Sequence, residues 1–330
     1  MWHAFRTARA AGLILTIVLP PALAAVPDAA KDFPTRPIRV LVPQNPGASN
    51  DTITRIVAAK MSEQLSQQVV VDNRPGAGGT IAGEIGARAA PDGHTLFATA
   101  TASQVIGPQI IKNLRFDPAN DFVPVVLFGI TQNVLVVNPK VPVKSVKELL
   151  AYAKANPGKL NMANAGAGTQ SHLAGVLFTH MTGFDVVHVP YKGGGASVAA
   201  TIAGEAQVTL TPAPAVLSHA RAGRLRALAS GGEKRSPLTP DLPTIIESGV
   251  PGFVSTGWIG FLAPKGTPKT IIGKLNATVV RVVNDAATRE MMQRNGADPT
   301  TSTPAEFGKF IREEYERFGQ AIRIAKLKAD

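Results

Sequence analysis

Ser49, Asn50 and Asp51 stand in a row just past Pro43, Pro46 and Gly47. They precede Ile53, Ile56, Val57, Met61 and Leu65, which fall on one face of a helix. All three are helix-capping types. Such a helix start gathers free backbone N–H groups and the positive end of a helix dipole, and that combination receives a carboxylate or another small anion. A capped turn that binds nothing is the commoner use of the same pattern, and on this segment alone both readings stand. A second segment repeats it. Asn164-Ala165-Gly166-Ala167-Gly168-Thr169-Gln170-Ser171-His172 leads into a helix with Leu173, Val176, Leu177 and Met181 on one face. Two anion-ready junctions in two halves of a chain suggest two lobes facing one ligand.

Other chemistry fits less well. Ser49, Asp51 and His172 name the parts of a hydrolytic triad, but Ser49 lacks the G-x-S-x-G setting and the parts come from separate halves. Asp51 is expected in a first helical turn, bonding backbone N–H groups, because an acid facing an anion repels it. His172 has no second His or acid at ligand spacing, so no metal is expected. The glycine loop Arg74-Pro75-Gly76-Ala77-Gly78-Gly79 fails as a dinucleotide motif, since Ile81 stands where the third glycine belongs, and no Walker lysine follows. No cofactor is expected. Lys192 reads as a solvated loop lysine and Trp258 as a core or hinge residue.

The elements that must position these residues alternate. The β-branched run at 38–42 is a buried strand ahead of the first junction, and 160–163 is the strand ahead of the second. Further strands are expected at 69–71, 95–98, 123–128, 134–138, 186–189, 207–210, 225–229 and 258–263. The strand at 95–98 ends in the hydroxyl-rich stretch Thr99 to Ser103. Helices are expected at 80–89, 146–156, 196–203, 215–222, about 268–284 and about 304–325. Ser145 with Glu148, and Thr303 with Glu306 and Pro304, have the form of capping boxes. A short helix is expected near 245–248. Recurring βα units mean an α/β fold with mostly parallel sheets, whose ligands sit at the carboxyl ends of strands.

Compartment and partners follow from composition. Residues 1–25 read as a cleaved export signal: Arg6 and Arg9, a short apolar core at 10–19, then Ala22-Leu23-Ala24. The core is too short to span a bilayer. Cysteine is absent from the 330 residues, so neither disulfides nor thiolate chemistry arise, which fits a bacterial periplasm. Some three hundred residues exceed one ordinary core, so two lobes are expected. The net charge is +11. Basic residues are scattered and aromatics make up only 5%, so a field that draws small anions is the better use of that charge than nucleic acid.

Several motifs in order resemble the extracytoplasmic solute receptors of tripartite tricarboxylate transporters, the Bug or TctC family. They include Pro34-Thr35-Arg36-Pro37-Ile38, Pro46-Gly47-Ala48-Ser49-Asn50-Asp51 and Val71-Asp72-Asn73-Arg74-Pro75-Gly76-Ala77-Gly78-Gly79. Further along come Ala90-Pro91-Asp92-Gly93, Gly166-x-Gly168 with Ser171-His172-Leu173, and Val189-Pro190-Tyr191-Lys192-Gly193. Lys234-Arg235-Ser236-Pro237, Leu242-Pro243-Thr244, Trp258-x-Gly260 and Ala263-Pro264-Lys265-Gly266-Thr267-Pro268 complete the series.

The resemblance implies a two-lobed periplasmic-binding-protein-like (type II) α/β fold with a ligand cleft between lobes. Residues 33–133 with 255–330 would form one lobe and 134–254 the other. It implies that Ala48, Ser49, Asn50 and Asp51 on one lobe, and Gly168, Thr169, Gln170 and Ser171 on the other, hold a carboxylate largely through backbone N–H groups and waters. Thr101 and Ser103 match a hydroxyl loop facing the cleft. Gln44 stands where the family usually has an aromatic, Ala48 where it has a second glycine, and Gln207 and Thr211 where it has acids. Gln44 and Thr211 are therefore the specificity candidates. The implied function is capture of a small organic anion for the membrane permease subunits of such a transporter, with a sensor kinase as the alternative partner and an exported hydrolase as the remote one.

Overall fold

The computed structural model describes residues 1–2 and 30–327, so the export signal expected over 1–25 lies, apart from Met1 and Trp2, outside the described residues. The first half of the chain runs β1 (Ile38–Val42), α1 (Ser49–Leu65), β2 (Val69–Asn73), α2 (Thr80–Ala87) and β3 (Thr95–Ala100). A π-helical turn, Ala102–Ile106, leads into α3 (Gly107–Ile110), and β4 (Phe122–Val137) follows. Then come α4 (Val146–Ala155), β5 (Asn161–Asn164), α5 (Gln170–Thr182), β6 (Val187–Pro190) and α6 (Gly194–Ala203). β7 (Val208–Pro212), α7 (Ala213–Arg221) and β8 (Arg226–Ser230) precede the return strand β9 (Thr256–Pro264). The chain ends with α8 (Lys269–Asn284), α9 (Ala286–Arg294), β10 (Asp298–Pro299) and α10 (Pro304–Ile324).

The strands form one curled sheet in the order β2-β1-β3-β9-β4-β7-β5-β6, with β8 and β10 paired to β4. β1 runs parallel to β2 and β3, and β5 parallel to β6 and β7, as βα units require. The middle of the sheet corrects the mostly parallel expectation. β9 is antiparallel to β3 and β4, and β4 is antiparallel to β7, β8 and β10. The reason is topological: β4 and β9 carry the chain out of one half and back into it. The two strands expected at 123–128 and 134–138 are likewise one strand of 16 residues. Its register against β9 shifts near Pro124/Val126 and Leu127/Gly129, and its pairing passes from β9 to β7 between Gln132 and Asn133.

Each half has its own core. Ile38, Val40 and Val42 of β1 are fully buried with Ile53, Val57 and Met61 of α1 and the apolar stripe of α8. Both faces of β1 are covered, as a parallel strand between helices must be. The second core gathers Leu135, Val137, Leu149, Phe178, Val208, Leu210 and Phe253. Each such side chain contributes about 1.5–3 kcal/mol by leaving water. On the other side of the first half, α10 lays Phe307, Phe318 and Ile322 beside Trp258, which is 1% exposed and edge-on to Phe307. Trp258 is thus a core residue. α10 starts with the expected capping box of Thr303 and Glu306 behind Pro304.

Three local expectations change. At α4, Ser145 caps the Glu148 N–H at 3.1 Å, but the Glu148 carboxylate turns to the Lys144 N–H at 2.7 Å, so the box is only half formed. The expected short helix near 245–248 is a turn. At α1, the N-cap is Ala48 and no side chain caps it, because Ser49, Asn50 and Asp51 already lie inside the helix.

Candidate functional site

The first junction is held together by its own polar side chains. Asp51 accepts the Gly47 N–H at 2.8 Å, the Asn73 amide at 2.8 Å and the Arg55 guanidinium at 2.9 Å. Burial pushes its carboxyl up, but the bonds from Arg55, Gly47 and Asn73 and the Arg55 charge outweigh that and hold it below the ordinary value. Asn50 is 1% exposed and points inward, donating to the Ala98 carbonyl at 2.8 Å and accepting from Thr54 at 2.9 Å. Its own N–H donates to Gln44 Oε1 at 3.2 Å. Gln44 also offers its carbonyl to Asn73 at 2.9 Å. Among the described residues, the Ser49 and Asp51 N–H groups of this helix start have no protein acceptor.

The second junction is built alike. Thr169 is the N-cap of α5, donating to the Gly166 carbonyl at 2.7 Å and accepting from the His172 N–H at 3.4 Å. Ser171 accepts the Ala165 N–H at 2.9 Å, and His172 Nδ1 accepts the Gly168 N–H at 3.2 Å. Burial lowers the His172 pKa, and it lowers that of neighbouring His188, with the His172 charge adding to it. Both imidazoles are therefore neutral at neutral pH. The N–H groups of Gln170 and Ser171 have no protein acceptor among the described residues.

These two helix starts face one cavity of about 1050 Å³. Gln44, Ala48 and Ser49 line it from one half, and Gly168, Thr169, Gln170, Ser171 and Thr211 from the other. Two more helices begin there: Gly194 and Gly195 open α6, and Pro212 and Pro214 open α7. Four helix N-termini thus converge, each carrying on the order of half a positive charge. No Asp or Glu is among the residues that line the cavity; its charged residues are Arg221 and Arg294. A small anion is what such a wall can bind.

Four expected contact residues sit elsewhere. Asn50 and Asp51 are committed to the loop behind the wall, as above. Thr101 is 1% exposed, and its hydroxyl accepts the Trp258 backbone N–H at 3.1 Å. Ser103 is 2% exposed, and its hydroxyl accepts the Ala100 N–H at 3.1 Å. These hydroxyls secure the turn after β3, and its neighbour Ala102 is the residue that reaches the cavity. No relay of Ser49, His172 and Asp51 is assembled, since Asp51 serves Gly47, Asn73 and Arg55 while His172 serves Gly168.

Sequence reasoning missed part of the lining. Ile106, Ile110 and Ile111 supply an apolar wall, and Leu217, Ser218 and Arg221 extend it along α7. The spacing 214, 217, 218, 221 marks one helical face, a signal present in the sequence that does not reveal what the face looks onto. Gln293 to Gly296, at the end of α9, complete the lining next to Pro214.

A family model described as tripartite tricarboxylate transporter family receptor matches residues 53–327. Protein BugT of Bordetella pertussis is 37% identical over 318 residues, covering 96% of this chain and 98% of its own. An R. palustris protein solved with adipate superposes with a TM-score of 0.82 at 32% identity, over 91% of this chain and 100% of that one. The periplasmic binding protein BugD superposes with a TM-score of 0.77 at 30% identity, over 90% and 100%.

Proposed function

The chain belongs to the tripartite tricarboxylate transporter receptor family, and from that premise we propose that it captures a small carboxylate and delivers it to the membrane permease of such a transporter. It is a solute-binding receptor rather than an enzyme, as its family is. The observation that carries the carboxylate reading is the convergence of four helix N-termini on a cavity lined by no acid. The adipate held by the R. palustris relative supports the same class.

Ala48, Ser49, Gly168, Thr169, Gln170 and Ser171 form the carboxylate cradle, with Gln44 and Thr211 shaping what else fits. Asn50, Asp51, Thr101 and Ser103 act from behind the cradle. Residues 33–133 with 255–330 close as one lobe on 134–254 by a hinge motion. The chain works in the periplasm after loss of its first 25 or so residues, which the mass of the exported protein tests. Calorimetry against a panel of organic acids, amides and aromatic acids tests the binding reading. Micromolar or tighter binding without turnover is expected; silence across the carboxylates overturns it.

A further inference from the structure

A second, much smaller cavity of about 10 Å³ lies where β4 passes between the halves. Gln132, Ser230, Ser236 and Asp298 line it, beside Val134 and Leu217. Its space is close to that of one water molecule. Gln132 and Val134 are two positions apart on β4, and Ser230 of β8 is paired with Val134. The side chains of all three therefore leave the same face of the sheet. Ser230 is 0% exposed, and its backbone N–H and carbonyl go to Pro243 and Ile245, both at 2.8 Å. Its hydroxyl has no partner among the described residues. Gln132 gives its amide N–H groups to the Lys234 carbonyl at 3.2 Å and to Asp298 at 3.3 Å, which leaves Oε1 buried and unpartnered among the described residues. Asp298 also accepts the Ser236 hydroxyl at 2.6 Å. Among the described residues it has no ion-pair partner.

This cavity thus gathers a carboxylate, an amide oxygen and two hydroxyls around room for one small particle. A carboxylate drawn in among neutral groups calls for a counter-charge. Independently of what the main cavity takes, we propose that this pocket binds a small monovalent cation, sodium, held by Asp298, Gln132 Oε1, Ser230 Oγ and Ser236 Oγ. Oxygen ligands of these kinds are what a hard cation takes. One carboxylate matches one positive charge, so calcium, which draws on more of them, suits the pocket less. Asp298 is not fully buried, which leaves the ion a way in. Ser230 and Ser236 belong to one half and Asp298 to the other, so the ion ties the halves together beside the strand that joins them.

Calorimetric melts of the mature protein in about 100 mM sodium chloride and in choline chloride of equal concentration test this, since ionic strength is matched and choline is too large to enter. Sodium is expected to raise the melting temperature by about 3 °C over choline, and potassium by less. Asp298→Asn removes the charge that the ion answers and abolishes the difference. In choline, where the wild-type carboxylate stands uncompensated, this variant melts above the wild type, so loss of folding does not account for the result. Ser230→Ala keeps the charge, removes one ligand and shrinks the sodium shift. Sodium NMR reads the ion directly: the wild type broadens the line, and Asp298→Asn leaves it narrow. Equal melting in sodium and choline overturns the site and leaves water as the occupant. An equal shift from lithium, sodium and potassium overturns it as well, as does a sodium shift that persists in Asp298→Asn.

Discussion

The Gly47 N–H donates to Asp51 Oδ2 at 2.8 Å, closing the first cleft loop onto the first turn of its own helix. The same carboxylate draws in Asn73 and Arg55, so one buried acid fixes three segments behind the ligand wall. Asp51→Asn is expected to cost about 1–3 kcal/mol at neutral pH, since buried donors lose a charged acceptor. The folded pKa of Asp51 is depressed. Its contribution is therefore present above the unfolded value and is lost as pH falls through the folded one. Urea unfolding of both proteins from pH 7 down to about 2 should show the gap narrowing with acid.

Ser49 is the first residue of α1, and the preceding Ala48 has φ −71° and ψ 161°. That backbone accommodates a following proline, and proline is welcome at a first helical position. Ser49→Pro removes one unpaired N–H from the cleft without breaking the helix. Relative to Ser49→Ala, which keeps the N–H, carboxylate affinity should fall about tenfold while the melting temperature changes little. Calorimetry beside a thermal melt checks it.

Gly168 sits at φ +73°, and a Cβ there would lie 2.6 Å from Ile110 of the facing half. Gly168→Ala pays about 1–2 kcal/mol for the left-handed backbone and also pushes on Ile110. The halves then meet less closely around the ligand. Binding should weaken about tenfold or more, and small-angle scattering should record a smaller ligand-induced compaction than in the wild type.

Asp298 behaves in the opposite sense to Asp51. Burial raises its pKa, against the bonds from Ser236 at 2.6 Å and Gln132 at 3.3 Å. A raised carboxyl opposes folding above its folded pKa, and that penalty fades as pH drops towards the unfolded value. Asp298→Asn keeps an oxygen for Ser236 and removes the buried charge. Its melting point should exceed the wild type by on the order of 2 °C at pH 7, and the advantage should vanish in acid. Calorimetric scans across pH measure it.

What the sequence made legible was local. The β-branched run that became β1, the box of Thr303 and Glu306, and the likeness of the two junctions need only neighbours along the chain to be read. Asn50 has capping chemistry too, yet its side chain goes to the Ala98 carbonyl, 48 positions away. Thr101 is taken by Trp258 for the same kind of reason. The cavity face of α7 and the end of α9 become partners only once β4 and β9 fold the halves together. A Cβ on Gly296 would approach Pro214 to 2.6 Å, a contact no local pattern announces.

One strand, β4, pairs with β9 along its first part and with β7 and β8 along its last. Neither half therefore owns a complete sheet, and a gene fragment for either would begin or end in mid-strand with a raw edge. Such a receptor is a poor donor or acceptor for recombination between relatives. Single replacements around the cavity, by contrast, leave that shared strand untouched.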